Sequence, residues 1–409
     1  MNAQPDRHVL ALNSGSSSLK FGLYRVNALE VQRLIGGEAE SIGEKQGDLD
    51  VEDPHGTSLL HESAALPSQE DAVIRVARLM TEMKLPAPQS IGHRIVHGGP
   101  KLRHHCLIDA DVLNELEAAV PYAPLHMPPA LAVIRFAETH FPGMPQVACF
   151  DTSFHAHMPD IARVLPIPYG LVSEGVERYG FHGLSCESIV RQLGAALPAN
   201  LLIAHLGNGA SITAVKNGHS IDTSMGLTPT GGIIMGTRSG DLDPGVLVYL
   251  ARRKNLDATE LEEWFDRRSG LLGISGISED LRILHKAADT NPQARLAIDM
   301  FCYSAAKQLA AMSVPLGGID AIVFTGGIGQ NDVRVRALIC RHVAGLGIRL
   351  DEARNRDSRD PISDDASQCR IRVLPSQEDE QIARHAWDLS RAGAGTLGSL
   401  THRASSRVL

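Results

Sequence analysis

The stretch from Leu201 to Asp222, LLIAHLGNGASITAVKNGHSID, restricts the fold more than any other part of the chain. The apolar run Leu201 to Ala204 reads as a buried strand that breaks into a loop at Gly207 and Gly209, and Ser211 to Val215 follows as a second strand. Asn217-Gly218 suits a two-residue type I′ turn, where both central residues need positive φ, so a third short strand is predicted beyond it. The unit is a β-meander with a glycine loop at its first corner. Such a corner lets backbone N–H groups approach an anion closely. The design recurs near the N-terminus, where His8 to Leu12 runs into Asn13-Ser14-Gly15-Ser16-Ser17-Ser18 and out through Leu19 to Tyr24. Two hairpins of this kind suggest two related halves serving one ligand. A third glycine corner, Thr325-Gly326-Gly327-Ile328-Gly329, follows the strand Ala321 to Phe324.

With 409 residues the chain exceeds one ordinary core, and two domains are expected, changing over near Asp151. Hydrophobic residues make up 43% and charged residues 21%, as in ordinary globular proteins. A net charge of -8 argues against a nucleic-acid binder held by phosphate neutralisation, so an anionic substrate must be met by locally placed Arg and Lys. No signal-peptide layout and no run of membrane-spanning length is present, which predicts a cytoplasmic protein without a membrane partner. The six cysteines contain no CxxC pair and read as reduced thiols.

Along the chain, Glu38 to Pro54 reads as a charged surface loop. Ser68 to Asp71 has a capping-box layout ahead of Val73, Ile74, Val76, Ala77 and Met80 at helical spacing. Ile91 to Gly99 reads as a strand; period two puts Arg94 and Val96 on one face and His93, Ile95 and His97 on the other. An arginine beside a small apolar residue suits a pocket for a short carboxylate, and equally a half-buried strand with one solvated arginine. His93 and His97 do not make a zinc motif, because the glutamate of HExxH is missing. Pro124 to Pro129 starts a helix, and Gln146 to Phe150 is a strand ending at Asp151. A carboxylate just past a strand's C-terminal end is where open α/β sheets place ligands, and it is also an ordinary helix N-cap. Gly236 to Gly245 is a loop dense in Gly and Asp with one arginine, Arg238.

Spacing excludes the commonest phosphate machinery. There is no Gly-Lys dipeptide, hence no P-loop. Gly327-x-Gly329 is followed at the third position by Asp332, which weakens a dinucleotide reading, and neither HRD nor DFG occurs.

The motifs that remain lie in one order over nearly the whole chain: NSGSSSLK (13–20), GHRIVHGG (92–99), FDTSFH (150–155), YGFHG (179–183), HLGNG (205–209), DTSMGLTP (222–229), GTRSGDLDP (236–244) and TGGIGQN (325–331). Together they resemble the acetate kinase family. The resemblance implies an α/β fold of two duplicated actin-like (ribonuclease H-like) ATPase domains closing over a cleft. Residues 1–150 plus 385–409 would form the acyl-substrate domain, and 151–384 the nucleotide-binding and dimerisation domain of a cytoplasmic homodimer. It implies Mg2+-dependent phosphoryl transfer from ATP to acetate, giving acetyl phosphate and ADP, with Mn2+ as an alternative metal. Carried over residue by residue, Arg94 resembles the carboxylate-binding arginine, Asp151 the acid/base residue, and His182 and Arg238 the pair that stabilises the transferring phosphoryl group. Asn13, Ser16, Ser18 and Lys20 resemble the first phosphate loop, and His205, Leu206, Gly207, Asn208 and Gly209 the second. Asp280, Leu281 and Arg282 with Gly327, Ile328, Gly329, Gln330 and Asn331 resemble the nucleotide segments. Val96, Leu125 and Pro229 resemble the apolar acyl pocket, and Asn13 with Glu378 the magnesium site. The chain departs from the family at Leu184, Cys186 and Gln330, and in the sequence Gln377-Glu378-Asp379-Glu380. A carboxylic acid is already ionised at neutral pH, so Asp151 need not act as a base and is expected instead to orient water on the metal. Two alternatives stay open: a kinase for propionate or another short acid, and a nucleotide-operated scaffold or chaperone of the actin-like superfamily, which would have no use for a carboxylate pocket.

Overall fold

The computed structural model describes residues 6–15 and 17–404, with side chains through Ala392. The chain divides into two compact units, Met1–Ser153 with Gln377–Leu409, and Phe154–Ser376. The return to the first unit comes at Gln377, ahead of the expected 385, because the last helix, Glu378–Ala404, packs along strands of the first sheet.

The first unit is built on an eight-stranded sheet: β1 Arg7–Ser14, β2 Leu19–Val26, β3 Val31–Glu40, β4 Gly47–Glu52, β5 Ser58–Ala64, β6 Ser90–Ile95, β7 Cys106–Leu107 and β8 Gln146–Phe150. The order is β5-β4-β3-β2-β1-β6-β8-β7. The first hairpin pairs Ser14 with Leu19, as the sequence predicts, and β1, β6 and β8 run parallel to one another. Parallel neighbours need crossovers, which the helices Gln69–Glu82 and Met127–His140 supply. Ser68 caps the first of these, its side chain accepting from the Asp71 amide at 3.2 Å. The Ser68 hydroxyl in turn donates to the Asp71 carboxylate at 2.7 Å. Val73, Val76 and Leu79 pack against Leu10, Leu12 and Phe21 of the sheet, and each such buried side chain stabilises by about 1.5–3 kcal/mol. The expected surface loop at Glu38 to Pro54 instead holds the end of β3 and all of β4, whose Leu49 and Val51 alternate into this core.

The second unit repeats the plan. Its strands β9 Asn200–Leu206, β10 Ala210–Lys216, β11 His219–Thr223, β12 Ala321–Thr325 and β13 Arg370–Val373 lie in the order β11-β10-β9-β12-β13. This matches β3-β2-β1-β6-β8: an antiparallel meander, then two parallel strands added by crossover. Both sheets thus carry the actin-like arrangement. Asn217 and Gly218 have φ of 49° and 85°, the two positive values a type I′ turn requires. The third glycine corner is tighter than a loop: a six-residue helix, Gly326–Asn331, begins directly after β12. Gly326 has φ +76°, and a Cβ there would lie 2.6 Å from the Leu206 carbonyl oxygen, so no other residue fits.

Candidate functional site

In the first unit, three adjacent parallel strands deliver polar groups at their C-terminal ends. Asn13 and Arg94 are the penultimate residues of β1 and β6, and Asp151 follows β8, its amide donating to the Ile95 carbonyl at 2.9 Å. Arg94 donates from Nε (3.0 Å) and Nη2 (2.6 Å) to one oxygen of Asp151, and from Nη1 to Asn13 Oδ1 at 3.0 Å. The Asp151 side chain is 1% exposed and that of Arg94 19%. Burial works against the guanidinium charge, yet Asp151, Glu378 and Asp379 outweigh it and hold the Arg94 pKa above its usual value. Asp151 therefore anchors the arginine, a task the sequence did not suggest.

The first turn of the helix Glu378–Ala404 brings two acids to the same place. Asn13 Nδ2 lies 3.4 Å from Glu378 Oε2 and 3.4 Å from Asp379 Oδ1. Burial and the neighbouring Glu378 charge push the Asp379 carboxyl above the usual carboxylate range. Lys20 pairs with Glu38 at 3.6 Å on the exposed side of the hairpin. Ser16 lies outside the described residues; Ser18, partly exposed, accepts through its carbonyl from the Gly15 amide at 2.8 Å.

The strand predicted for Ile91 to Gly99 stops at Ile95. Beyond it the Gly99 amide donates to His97 Nδ1 and the Leu102 amide to the Gly98 carbonyl, turning the chain before the strand could continue. Val96 is buried in that bend, so strand periodicity does not set its direction, while Leu125 is half-buried ahead of the helix Met127–His140. His93 Nε2 donates to Gln146 Oε1 at 2.7 Å, a core contact.

In the second unit the β9–β10 corner gathers the other set. The Gly207 amide donates to the Gly209 carbonyl at 3.0 Å, closing the turn between Leu206 and Ala210. The rings of His182 and His205 stack with centroids 4.2 Å apart. Their Nδ1 atoms are held by Ser211 Oγ (2.9 Å) and Ser185 Oγ (2.8 Å). A Cβ on Gly209 would lie 3.1 Å from His182 Nε2 and 3.5 Å from Arg238 Nη1, so these two cationic or donor groups flank the glycine. Arg238 Nη1 also donates to the Pro229 carbonyl at 3.2 Å, and Pro229 is buried. His182 sits at the N-terminus of the helix Gly183–Leu193 with φ 59°, an uncommon left-handed backbone for a non-glycine residue. The Asn208 side chain presses on Gly236, whose amide donates to the Asn208 carbonyl at 3.1 Å, tying the Gly236 loop to this corner. Leu184 and Cys186, the departures from the family pattern, are fully buried, Cys186 among Ile189, Leu201 and Ile203.

The remaining candidates are placed differently. Asp280 caps the helix Leu281–Ala287 by accepting from the Arg282 amide at 2.7 Å, Leu281 is buried, and the Arg282 side chain is 89% exposed and paired with Asp280. Of the helix Gly326–Asn331, Gly327 and Asn331 are exposed, Ile328 and Gln330 half-exposed and Gly329 buried. Sequence reasoning missed what holds this segment: the fully buried Arg336 donates from Nη1 to the carbonyls of Gly329 (2.9 Å) and Gln330 (2.7 Å). Its Nε reaches Asn355 Oδ1 at 2.8 Å. A lone arginine among helix-forming residues carries no sequence signal of such a role.

Comparison with known proteins agrees in extent with this layout. Residues 8–384 match the family described as the Acetokinase family. The acetate kinase of Deinococcus radiodurans is 43% identical over 387 residues, covering 92% of this chain and 96% of that protein. The acetate kinase of Campylobacter lari is 38% identical, covering 93% and 98%. Among solved structures, a propionate kinase from Francisella tularensis superposes with a TM-score of 0.87 at 38% identity, over 94% of this chain and all of that one. The acetate kinase of Porphyromonas gingivalis gives 0.82 at 35%, over 94% and 99%.

Proposed function

The chain belongs to the acetokinase family, and from that premise we propose that it is an acetate kinase, transferring the γ-phosphoryl group of ATP reversibly to acetate to give acetyl phosphate and ADP. The observation that carries the reading is the match over residues 8–384, which takes in every candidate residue named above.

By this reading Arg94 binds the carboxylate and Asp151 holds Arg94 in place. Acetate is ionised at neutral pH, so the nucleophile needs no base. Phosphoryl transfer then asks mainly for positioning and for neutralisation of charge spread over the equatorial oxygens. Arg238 supplies that charge and His182 a hydrogen-bond donor, its ring held by Ser211 and its left-handed backbone fixed at the head of the helix. The N–H groups of the two glycine hairpins cradle the phosphates. Val96, Leu125 and Pro229 bound the acyl group, and the segments 280–282 and 327–331 take the nucleoside. Transfer requires both sets of residues to act on one pair of substrates.

The donor set fits a magnesium ion. Glu378 and Asp379 present carboxylate oxygens beside the Asn13 amide; burial first, and then the Glu378 charge, push the Asp379 carboxyl up, and a hard cation would offset both effects. Asn13 and Glu378 would hold the ion, which when bound supplies charge neutralisation on the phosphate oxygens; Mn2+ takes similar ligands.

The protein works in the cytoplasm as a homodimer in this proposal. No described helix is long and apolar enough to cross a membrane. The helix Pro244–Lys254 of the second unit buries none of its residues and exposes Val246, Leu247, Val248 and Tyr249, which supports association through that unit. A second reading, propionate kinase, is favoured by the name of the Francisella relative. Hydroxylamine trapping of acyl phosphate from ATP with a panel of short acids tests both. Trapped product with acetate at the highest kcat/KM supports the proposal; ATP hydrolysis without trapped product for any acid refutes it.

A further inference from the structure

Gln69 opens the helix Gln69–Glu82, distant in sequence from every motif that the reading of the site uses, and its side chain is buried. Its Nε2 donates to two carbonyls of the first glycine hairpin, Gly15 at 3.2 Å and Ser18 at 3.3 Å. The same loop is tied at Ser17, whose carbonyl accepts from the Ile42 amide at 2.9 Å, and across its own mouth from Gly15 N to Ser18 O at 2.8 Å. The carbonyls of Gly15, Ser17 and Ser18 are thus all engaged by the protein. The other end of the carboxamide is informative. Among the described residues Gln69 Oε1 is buried without a hydrogen-bond partner. Rotating the amide would set Oε1 against two carbonyl oxygens, so the observed orientation is fixed by the donors. An apolar residue would avoid the orphaned oxygen, whose burial is unfavourable. Glutamine at this place is explained by what Nε2 does.

We propose that Gln69 is a positioning residue for ATP: it clamps the Gly15 and Ser18 carbonyls away from the polyphosphate, so that the hairpin presents N–H groups rather than carbonyl dipoles to the anion. This rests on the reading of Asn13–Lys20 as a phosphate loop. The charge logic is simple. A peptide group that turns its oxygen toward a phosphate repels it, and a four-residue loop of one glycine and three serines has little else to prevent such turning. The clamp comes from a helix in the crossover after the hairpin, so its geometry does not depend on the ligand being present.

Two variants separate clamp from fold. Gln69→Met keeps length and shape without donors. Gln69→Glu keeps size and places an acid in the first helical turn, where the helix favours it, while setting a carboxylate against the two carbonyls. Both should raise the KM for ATP about tenfold to thirtyfold, with the KM for acetate within about twofold; Gln69→Glu, which buries a carboxylate against two carbonyls, should also lower the melting temperature, so the split between the two KM values decides. A residue needed only for folding would lower the melting temperature and leave both KM values alone. Lys20→Ala serves as the control on the loop itself and should also raise the ATP KM. If Lys20→Ala raises it and both Gln69 variants do not, the clamp is refuted. If Lys20→Ala too leaves it unchanged, the phosphate-loop reading beneath it fails.

Discussion

Removing the Asp151 carboxylate should cost the first unit about 3 kcal/mol, and the structure sets that figure. Two charge-assisted bonds from Arg94, at 3.0 and 2.6 Å, end on one Asp151 oxygen, so they do not form a parallel fork with two acceptors. Breaking a buried ion pair by deleting one partner costs about 3–5 kcal/mol. The lower end applies, because Asp151→Ala leaves Arg94 its bond to Asn13 and the negative field of Glu378 and Asp379. Spread over a unit of roughly 190 residues, at about 2–4 °C per kcal/mol, this is a fall of about 6–12 °C in that unit's transition. Calorimetry reads the transition, and urea unfolding of Asp151→Ala, Arg94→Ala and the double variant closes a double-mutant cycle. The double variant should be destabilised by less than the sum of the singles, with a coupling of about 3 kcal/mol. A coupling below about 0.5 kcal/mol would show that the pair contributes nothing beyond its packing, and the anchoring of Arg94 by Asp151 would be wrong.

Arg238→Ala should lower kcat by about a hundredfold or more with the smaller effect on acetate KM, whereas Arg94→Ala should weaken acetate binding and catalysis together; steady-state kinetics distinguishes them. Val96→Ala should shift kcat/KM toward propionate relative to acetate by roughly tenfold, and an unmoved ratio would place Val96 away from the acyl group. Burial depresses His93 and His155 to about 4. Because these folded values lie below the unfolded value near ~6.5, the stability they contribute is complete above that pH and is lost as pH falls toward about 4, at ~1.4 kcal/mol per pH unit for each histidine. Urea titrations between pH 4 and 7 should show this slope, reduced by one proton in His155→Asn.

The hairpins were legible because apolar runs broken by glycine or Asn-Gly allow few other foldings, and the positive φ values at Asn217 and Gly218 follow from that chemistry. The same eye misjudged Glu38 to Pro54. Its acids suggested a surface loop, yet Asp48, Asp50 and Glu52 are the outward half of a period-two strand whose inward half is Leu49 and Val51. The family motifs named the site residues but not their bonds. Arg94 meets Asp151 only because β6 and β8 lie parallel in a register that pairs Arg94 with Cys149 and Ile95 with Phe150. No local pattern encodes a contact across 57 positions. Gln69, Ser185, Ser211 and Arg336 were invisible for a related reason: each acts on backbone or on a ring brought to it by tertiary structure, and each is an ordinary residue in its own helix or strand.

The late return of the chain has a consequence for synthesis on the ribosome. Strands β1 to β8 emerge first, but the helix that covers β1, β6 and β8 comes only after residues 154–376 have been made. Gly92 of β6 shows how close that cover is: a Cβ there would lie 2.5 Å from Ile382 Cγ2. At ~5–20 residues per second the gap of about 220 residues leaves the N-terminal sheet without this helix for on the order of ten to forty seconds. The second unit, being contiguous, can complete itself within that interval. The nascent N-terminal sheet is therefore the part of the polypeptide that a chaperone would have most reason to hold. Glu378 and Asp379 reach Asn13 only with the arrival of the last helix, so a chain truncated before residue 378 would carry both glycine hairpins and still lack the acids beside Asn13, where the proposed function places magnesium.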